Sequence, residues 1–214
     1  MTRFYHLETG KPASQQVTEE QNMYGSELSI SPRGAAAVIL RGHGIEEDSD
    51  GFVLDVPAGR IIQTLKTGIY PMAAAFVGEG HIALASKIPK LCCIEVIDAH
   101  DGHITQQFGD PETGSRDAVG VSADGKVLFA FSAAEWRYKN ALQVRTPHID
   151  VWDTTSGKLI ARSPEIEMMK NAGAMLDFSY TDTILPSFEL CSRANAILVT
   201  WPGRNRASVI YRWK

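Results

Sequence analysis

Val119-Gly120-Val121-Ser122-Ala123-Asp124-Gly125-Lys126-Val127-Leu128-Phe129-Ala130-Phe131 and, shortly after it, Ile149-Asp150-Val151-Trp152-Asp153-Thr154-Thr155-Ser156-Gly157-Lys158-Leu159-Ile160 decide how this chain folds. Each is an apolar run, a short polar turn closed by glycine, and a second apolar run. Apolar runs of this length, rich in Val, Ile, Leu and Phe, suit buried strands. Ser, Asp and Gly between them supply local hydrogen bonds and a residue that tolerates positive φ, so each pair of runs reads as a tight hairpin. Two hairpins in succession make a four-stranded antiparallel unit.

The unit repeats. The first hairpin recurs as Leu28-Ser29-Ile30-Ser31-Pro32-Arg33-Gly34 running into Ala37–Leu40, and as Ala75-Phe76-Val77-Gly78-Glu79-Gly80 running into Ile82–Ala85. A weaker copy joins Leu176–Tyr180 to Ile184-Leu185 around Asp182. The second hairpin, a strand ending in Asp with a glycine-closed turn, recurs as Phe52–Ile62 and Ile94–Ile104, with an N-terminal copy at Phe4–Lys11. The closing glycines Gly10, Gly59, Gly102 and Gly157 stand 49, 43 and 55 residues apart, and Gly34, Gly80 and Gly125 stand 46 and 45 apart. A period in the forties to fifties with two hairpins per period is that of a β-propeller blade. Helical periodicity is not convincing anywhere; Pro164 to Met175 reads as a connection between blades.

The fold class expected is therefore all-β, a propeller of four-stranded antiparallel blades. Residues 3–17 supply the last two strands of a blade, and 28–65, 73–108, 118–163 and 175–213 supply four full blades. Whole blades close a propeller and half blades do not. The expectation is a segment of a larger propeller whose remaining blades lie elsewhere in the same or another chain. The rival is a ring of four blades with an N-terminal extension.

Val151-Trp152-Asp153 followed by Ser156-Gly157-Lys158 resembles the third strand and following turn of a WD repeat, and Ser122-Ala123-Asp124-Gly125-Lys126 resembles that family's first hairpin. The resemblance runs through most of the chain and is close only in the third full repeat. It departs at the Gly-His dipeptide that precedes each blade in the family: Gly42-His43, Gly80-His81 and Gly102-His103 fall at other positions. The Asp-His-Ser-Trp network of WD repeats is accordingly mostly absent, which keeps quinoprotein-like and lactonase-like propellers as alternative relatives. The WD resemblance implies a non-catalytic scaffold binding a protein partner or companion blades. The alternative relatives imply an enzyme with a metal or quinone in a central channel.

Composition narrows the partners. A net charge of -4 lacks the cationic excess that nucleic acid or an anionic membrane surface requires. No run approaches the length needed to cross a bilayer, and Met1–Glu8 lacks the apolar core of a signal peptide, so an intracellular, cytoplasmic location is expected. Cys92, Cys93 and Cys191 form no Cys-x-x-Cys pair and read as free thiols.

Function on a propeller sits in its connections. Gly42–Gly51 is acidic through Glu46, Glu47, Asp48 and Asp50; Ser86–Cys92 carries Lys87 and Lys90; Ala133–His148 carries Glu135, Trp136, Arg137, Tyr138, Lys139 and Arg145. Trp, Tyr and Arg dominate interface hot spots because each joins a large contact area to a polar handle. Trp136, Arg137, Tyr138, Lys139 and Arg145 are thus the candidate partner-binding residues. The acidic run lacks the spacing of an EF-hand loop, and His100-Asp101-Gly102-His103 sits on a hairpin turn, so neither is expected to bind metal. No cofactor is expected. Arg204, Arg206, Arg212 and Lys214 alternate with Val209, Tyr211 and Trp213, the pattern of an edge strand with one solvated face. Nucleophile elbows, phosphate-cradling loops and His-Glu-x-x-His are all missing, so no catalytic residue is assigned.

Overall fold

The computed structural model describes residues 28–40, 51–66, 71–86, 94–109, 118–132, 135–138, 141–144, 148–163, 187–191, 195–200 and 208–213. Among them there is no helix. The expected strands at 3–17 and Leu176–Tyr180, and the connection Pro164–Met175, lie outside the described residues. The chain divides into two compact units, Met1–Val119 and Gly120–Lys214, the boundary falling within a strand of the third sheet.

The first unit holds two four-stranded antiparallel sheets. One is built of β1 (Leu28–Ile30), β2 (Ala36–Leu40), β3 (Gly51–Asp55) and β4 (Arg60–Leu65), the other of β5 (Pro71–Val77), β6 (His81–Ser86), β7 (Ile94–Asp98) and β8 (Ile104–Phe108). Each strand pairs with its sequence neighbour, the simplest route by which short turns build a sheet. The two sheets pack face to face. Val38, Leu40, Val53 and Leu65 of the first meet Ala74, Phe76, Ile82, Leu84 and Ile97 of the second. Burial of each such large side chain contributes roughly 1.5–3 kcal/mol. At the turn end, the Arg33 N–H donates to Glu79 Oε1 (2.8 Å), so one sheet's first turn is tied to the next sheet's.

The second unit holds β9 (Ala118–Val121), β10 (Val127–Ser132), β13 (His148–Asp153) and β14 (Leu159–Arg162) in a four-stranded sheet, a two-stranded hairpin of β11 (Glu135–Tyr138) and β12 (Ala141–Val144), and a three-stranded sheet of β15 (Ser187–Cys191), β16 (Ala196–Thr200) and β17 (Ser208–Arg212). Phe188 of β15 joins the last two sheets, its ring centroid 5.5 Å from Phe129 and 5.2 Å from Phe131. Gly120 leaves room for the Phe129 ring: a Cβ there would run into it. The C-terminal strand shows the expected sidedness, with Arg212 exposed and Tyr211 and Trp213 half-buried, although Ile210 is exposed beside Arg212. Burial pushes the Tyr211 hydroxyl above its ordinary range.

The repeat persists below the level of strands. In all three four-stranded sheets the pairing of third and fourth strands shifts register at one place, between Val53 and Leu54, Val96 and Ile97, and Val151 and Trp152. Each shift lies just ahead of the turn aspartate and puts one extra residue on the fourth strand, as a β-bulge does. Behind it the residue after the aspartate donates its N–H to the carbonyl closing the first hairpin: Val56 to Ala35, Ala99 to Gly80 and Thr154 to Lys126.

Candidate interaction surface

Each four-stranded sheet has two unlike ends. At one, the hairpin turns are closed by their own side chains. Ser31 and Ser122 are buried, and their Oγ atoms accept the N–H of Ala36 (3.0 Å) and Val127 (2.9 Å). Gly34 and Gly125 follow at φ 72° and 73°, a conformation open to glycine without strain. In the second hairpins Asp55, Asp98 and Asp153 accept N–H groups of their own turns at Ala58, His100 and Ser156. Such bonds to an ionised carboxylate favour the charged form. The His100 N–H therefore holds Asp98 below the ordinary carboxylate value, the Ser156 N–H does so for Asp153, and the Ser122 hydroxyl does so for Asp124.

His100-Asp101-Gly102-His103 forms such a turn, as expected. Asp98, Asp101 and His103 bring one potential ligand atom each within 4.8 Å of one another. Their atoms serve the turn: Asp98 Oδ1 accepts from His100 and Asp101, and Asp101 Oδ1 accepts from the His103 N–H. The ion pair with Asp101 raises the His103 imidazole pKa, while the His103 N–H lowers that of Asp101. Asp101 and His103 are exposed.

The opposite end carries the long connections. β2, β6 and β10 end at Leu40, Ser86 and Ser132, and β3, β7 and β13 begin at Gly51, Ile94 and His148. The acidic run 46–50, Lys87, Lys90, Cys92 and Cys93 lie outside the described residues. In the third sheet the connection, read from sequence as a loop, contains a regular hairpin. Glu135, Trp136, Arg137 and Tyr138 pair with Val144, Gln143, Leu142 and Ala141. Trp, Tyr, Leu and Val are strand-forming residues, and pairing satisfies backbone groups that a loop of this length leaves open. Of the candidate partner-binding residues, Trp136, Arg137 and Tyr138 thus stand consecutively on β11, while Lys139 and Arg145 lie outside the described residues.

Sequence reasoning missed what stands at the hairpin's base. Asp150, fully buried on β13, accepts two hydrogen bonds from Arg162 of β14, Nε to Oδ1 at 2.6 Å and Nη2 to Oδ2 at 3.0 Å. His148 Nε2 lies 3.4 Å from Asp150 Oδ2. Two bonds in a planar fork fix the guanidinium and with it the edge strand. Next to them the Ser163 N–H donates to the Ile149 carbonyl and the Ile149 N–H to Ser163 Oγ. His148 is the residue at which the chain returns from the insertion, so this cluster clamps the insertion's root. The available signal was a carboxylate inside an apolar run, Ile149-Asp150-Val151-Trp152, which folding buries only with a partner.

No family model matches the chain, and no curated protein does. Among solved structures, a match to the Myceliophteria thermophila Cps50 (Swd1) beta-propeller domain has a TM-score of 0.56 at 12% identity, covering 92% of this chain and 54% of that one. A match to Kuenenia stuttgartiensis hydrazine synthase has a TM-score of 0.46 at 14% identity, covering 94% of this chain and 66% of that one. At these identities the likeness concerns the fold, and the first match carries it. No helix of the described residues is long and apolar enough to cross a membrane. Repeated four-stranded antiparallel sheets and a propeller neighbour give the chain a β-propeller fold, and it spans about half the length of the propeller domain it matches.

Proposed function

We propose that this chain is a non-catalytic propeller segment of the WD-repeat kind that serves as a scaffold in an intracellular, cytoplasmic protein assembly. Its contact element is the β11–β12 hairpin, where Trp136, Arg137 and Tyr138, flanked in sequence by Lys139 and Arg145, meet a protein partner. The observation that carries this reading is the insertion itself. Of the three long connections, that of the third sheet is the longest and contains a regular hairpin, rich in hot-spot residue types and rooted beside the buried Asp150 and its partner Arg162. The WD kinship is supported by the resemblance of Val151-Trp152-Asp153 and of the Ser122–Gly125 turn, in which Ser122 donates to Asp124 and accepts from Val127. Blades at 3–17, 28–65, 73–108, 118–163 and 175–213 belong to the same reading.

The test is quantitative affinity capture with the whole chain carrying Trp136→Ala, Arg137→Ala and Tyr138→Ala together. We expect a discrete set of captured proteins to fall away while the thermal melt stays within a few degrees of wild type. Capture that is unchanged at full stability would move the contact surface away from the hairpin.

A further inference from the structure

Successive residues of a strand belong to opposite faces, and that alternation divides the contact hairpin. The register sets Trp136 opposite Gln143 and Tyr138 opposite Ala141, so these four positions share one face of the ribbon. Glu135 and Arg137, opposite Val144 and Leu142, share the other. The run Trp136-Arg137-Tyr138 is therefore not a single patch: its aromatic positions stand on one face and its cation on the other. The two faces meet along the edge of β11. That edge is open among the described residues, where β11 and β12 form a sheet of two strands. A hairpin of two strands is marginally stable in water, and an open edge presents a row of backbone donors and acceptors. A third strand beside β11 would pair with that row and set its own residues against both faces by turns.

We infer that the β11 edge takes up an extended segment of a protein partner in which acidic and apolar residues alternate. Its apolar residues stand beside Trp136 and Tyr138, and an acidic residue stands beside Arg137. Aromatic–aliphatic and opposite-charge neighbours are the cross-strand pairs that stabilise a sheet. β12, with Ala141, Leu142, Gln143 and Val144, offers no charge by which to select a partner. Charge complementarity sets the sign of the occupant. Residues 133–147 carry Arg137, Lys139 and Arg145 against Glu135, an excess of cations within a chain of net charge -4. A short acidic segment meets that local excess. A long polyanion such as nucleic acid would also have to pass the acidic remainder of the chain, which repels it. This occupant presupposes that the hairpin is the contact element, as proposed above.

The test is fluorescence anisotropy with the whole chain and labelled peptide probes. The first probe alternates Glu and Val; the second has the same composition with Glu and Val in separate blocks. The third is the alternating peptide N-methylated along its backbone, and the fourth alternates Lys and Val. We expect the Glu-Val peptide to bind, and the blocked and N-methylated forms to bind at least about tenfold more weakly, since they lose the facing pairs or the backbone bonds. Arg137→Glu should turn the preference toward the Lys-Val peptide while the thermal melt stays within a few degrees of wild type. Absence of Glu-Val binding, equal binding of the blocked or N-methylated form, or a preference that Arg137→Glu leaves untouched would each overturn the inference. Tighter binding of an oligothymidylate would overturn it in favour of nucleic acid. Glu165-Ile166-Glu167-Met168 of this chain alternates in the same sense. Peptide binding that arises only after Glu165→Lys with Glu167→Lys would assign the edge to the chain itself or to a second copy, and would also overturn it. If the triple alanine variant releases the captured proteins while the Glu-Val peptide fails to bind, the hairpin stands as the contact element and strand addition fails alone.

Discussion

One register position, three residues before the turn aspartate on the third strand, has three chemistries in three sheets. In the first sheet Phe52 stands opposite Thr64; in the second Glu95 stands opposite Gln107; in the third Asp150 stands opposite Arg162. All three third-strand residues are buried, and the strands, bulges and turns around them superpose in pattern. Backbone pairing and the bulge therefore define the blade, and the side chain is free to vary there provided its polarity is answered across the strand. Phe52 needs no answer. Glu95 Oε1 takes a 3.3 Å bond from Gln107, and Asp150 takes the fork of Arg162. An ionic pair is no stronger a glue than the apolar contact it replaces. What the pair adds is direction, and it stands where the insertion returns to the sheet.

The largest effect is expected from breaking that pair on one side. Arg162→Met leaves Asp150 as a buried carboxylate without its main counter-charge. Because Arg162 is itself partly exposed, the expected cost lies at the low end of the range for buried pairs, about 3 kcal/mol by urea unfolding. The sharper measurement imports the first sheet's solution. Asp150→Phe with Arg162→Thr should recover stability to within about 1–2 kcal/mol of wild type, since removing both partners removes the unanswered charge. If the double variant is no better than the single, the three positions are not interchangeable and the comparison between sheets fails.

A second contrast lies between the faces on which the sheets pack. The first sheet turns Val38 and Leu40 toward its neighbour, whereas the third turns Phe129 and Phe131 toward Phe188. The larger rings need space that aliphatic residues do not, and Gly120 provides it. Gly120→Ala should cost about 1–3 kcal/mol by overpacking, and Gly120→Ala with Phe129→Val should regain part of it. No regain would show that the backbone at Gly120, rather than the ring above it, sets the requirement.

These elements differ in how far the sequence discloses them. The hairpin turns are legible because their chemistry is local: Ser122 with Asp124 and Gly125, or Asp153 with Ser156 and Gly157, close within a few residues on their own bonds. The strands between them are legible from composition. The bulges are not, because a register shift is a property of two paired strands and neither Val151-Trp152 nor Leu159-Ile160 encodes it alone. The β11–β12 hairpin was hidden by its setting: Trp136-Arg137-Tyr138 and Ala141–Val144 are short strands that read equally as a contact-rich loop. Trp136, Arg137 and Tyr138 were legible as contact-type residues, and their place on one strand was not.

Turn chemistry also separates the first hairpins at a smaller scale. Ser31 and Ser122 accept the same backbone bond, yet only Ser122 also donates to a turn aspartate, Asp124 Oδ1 at 2.6 Å; the first sheet has Arg33 there. Ser122→Ala should therefore cost about 1–2 kcal/mol and Ser31→Ala about half of that, read from matched urea curves. Equal losses would mean that the backbone bond alone matters.

The smallest effect is the pH dependence of these exposed turns, and its sign follows from the direction of each shift. Asp98, Asp124 and Asp153 are held below their ordinary value of 3.8 in the folded chain. Their contribution is complete above that value and is lost as pH falls through the lower folded values, so the melting temperature should drop below about pH 4. Asp153→Asn should shrink the drop, since the amide oxygen still accepts the Ser156 N–H but no longer titrates there. His103 behaves oppositely. Its pKa is raised above 6.5 by Asp101, so its contribution is complete below 6.5 and is lost as pH rises through the raised value. His103→Gln should flatten a slight fall in melting temperature between about pH 6 and pH 8 and alter the acid limb only through Asp101, whose carboxylate loses the imidazolium beside it. Both limbs should shrink in high salt, because the groups face water and are screened. Among the described residues the first sheet has no histidine in its turns and no aspartate in its first hairpin, and it serves as the internal control. Hydrogen exchange should find the Ser31–Ala36 turn indifferent to pH across the range in which the His103 turn loosens.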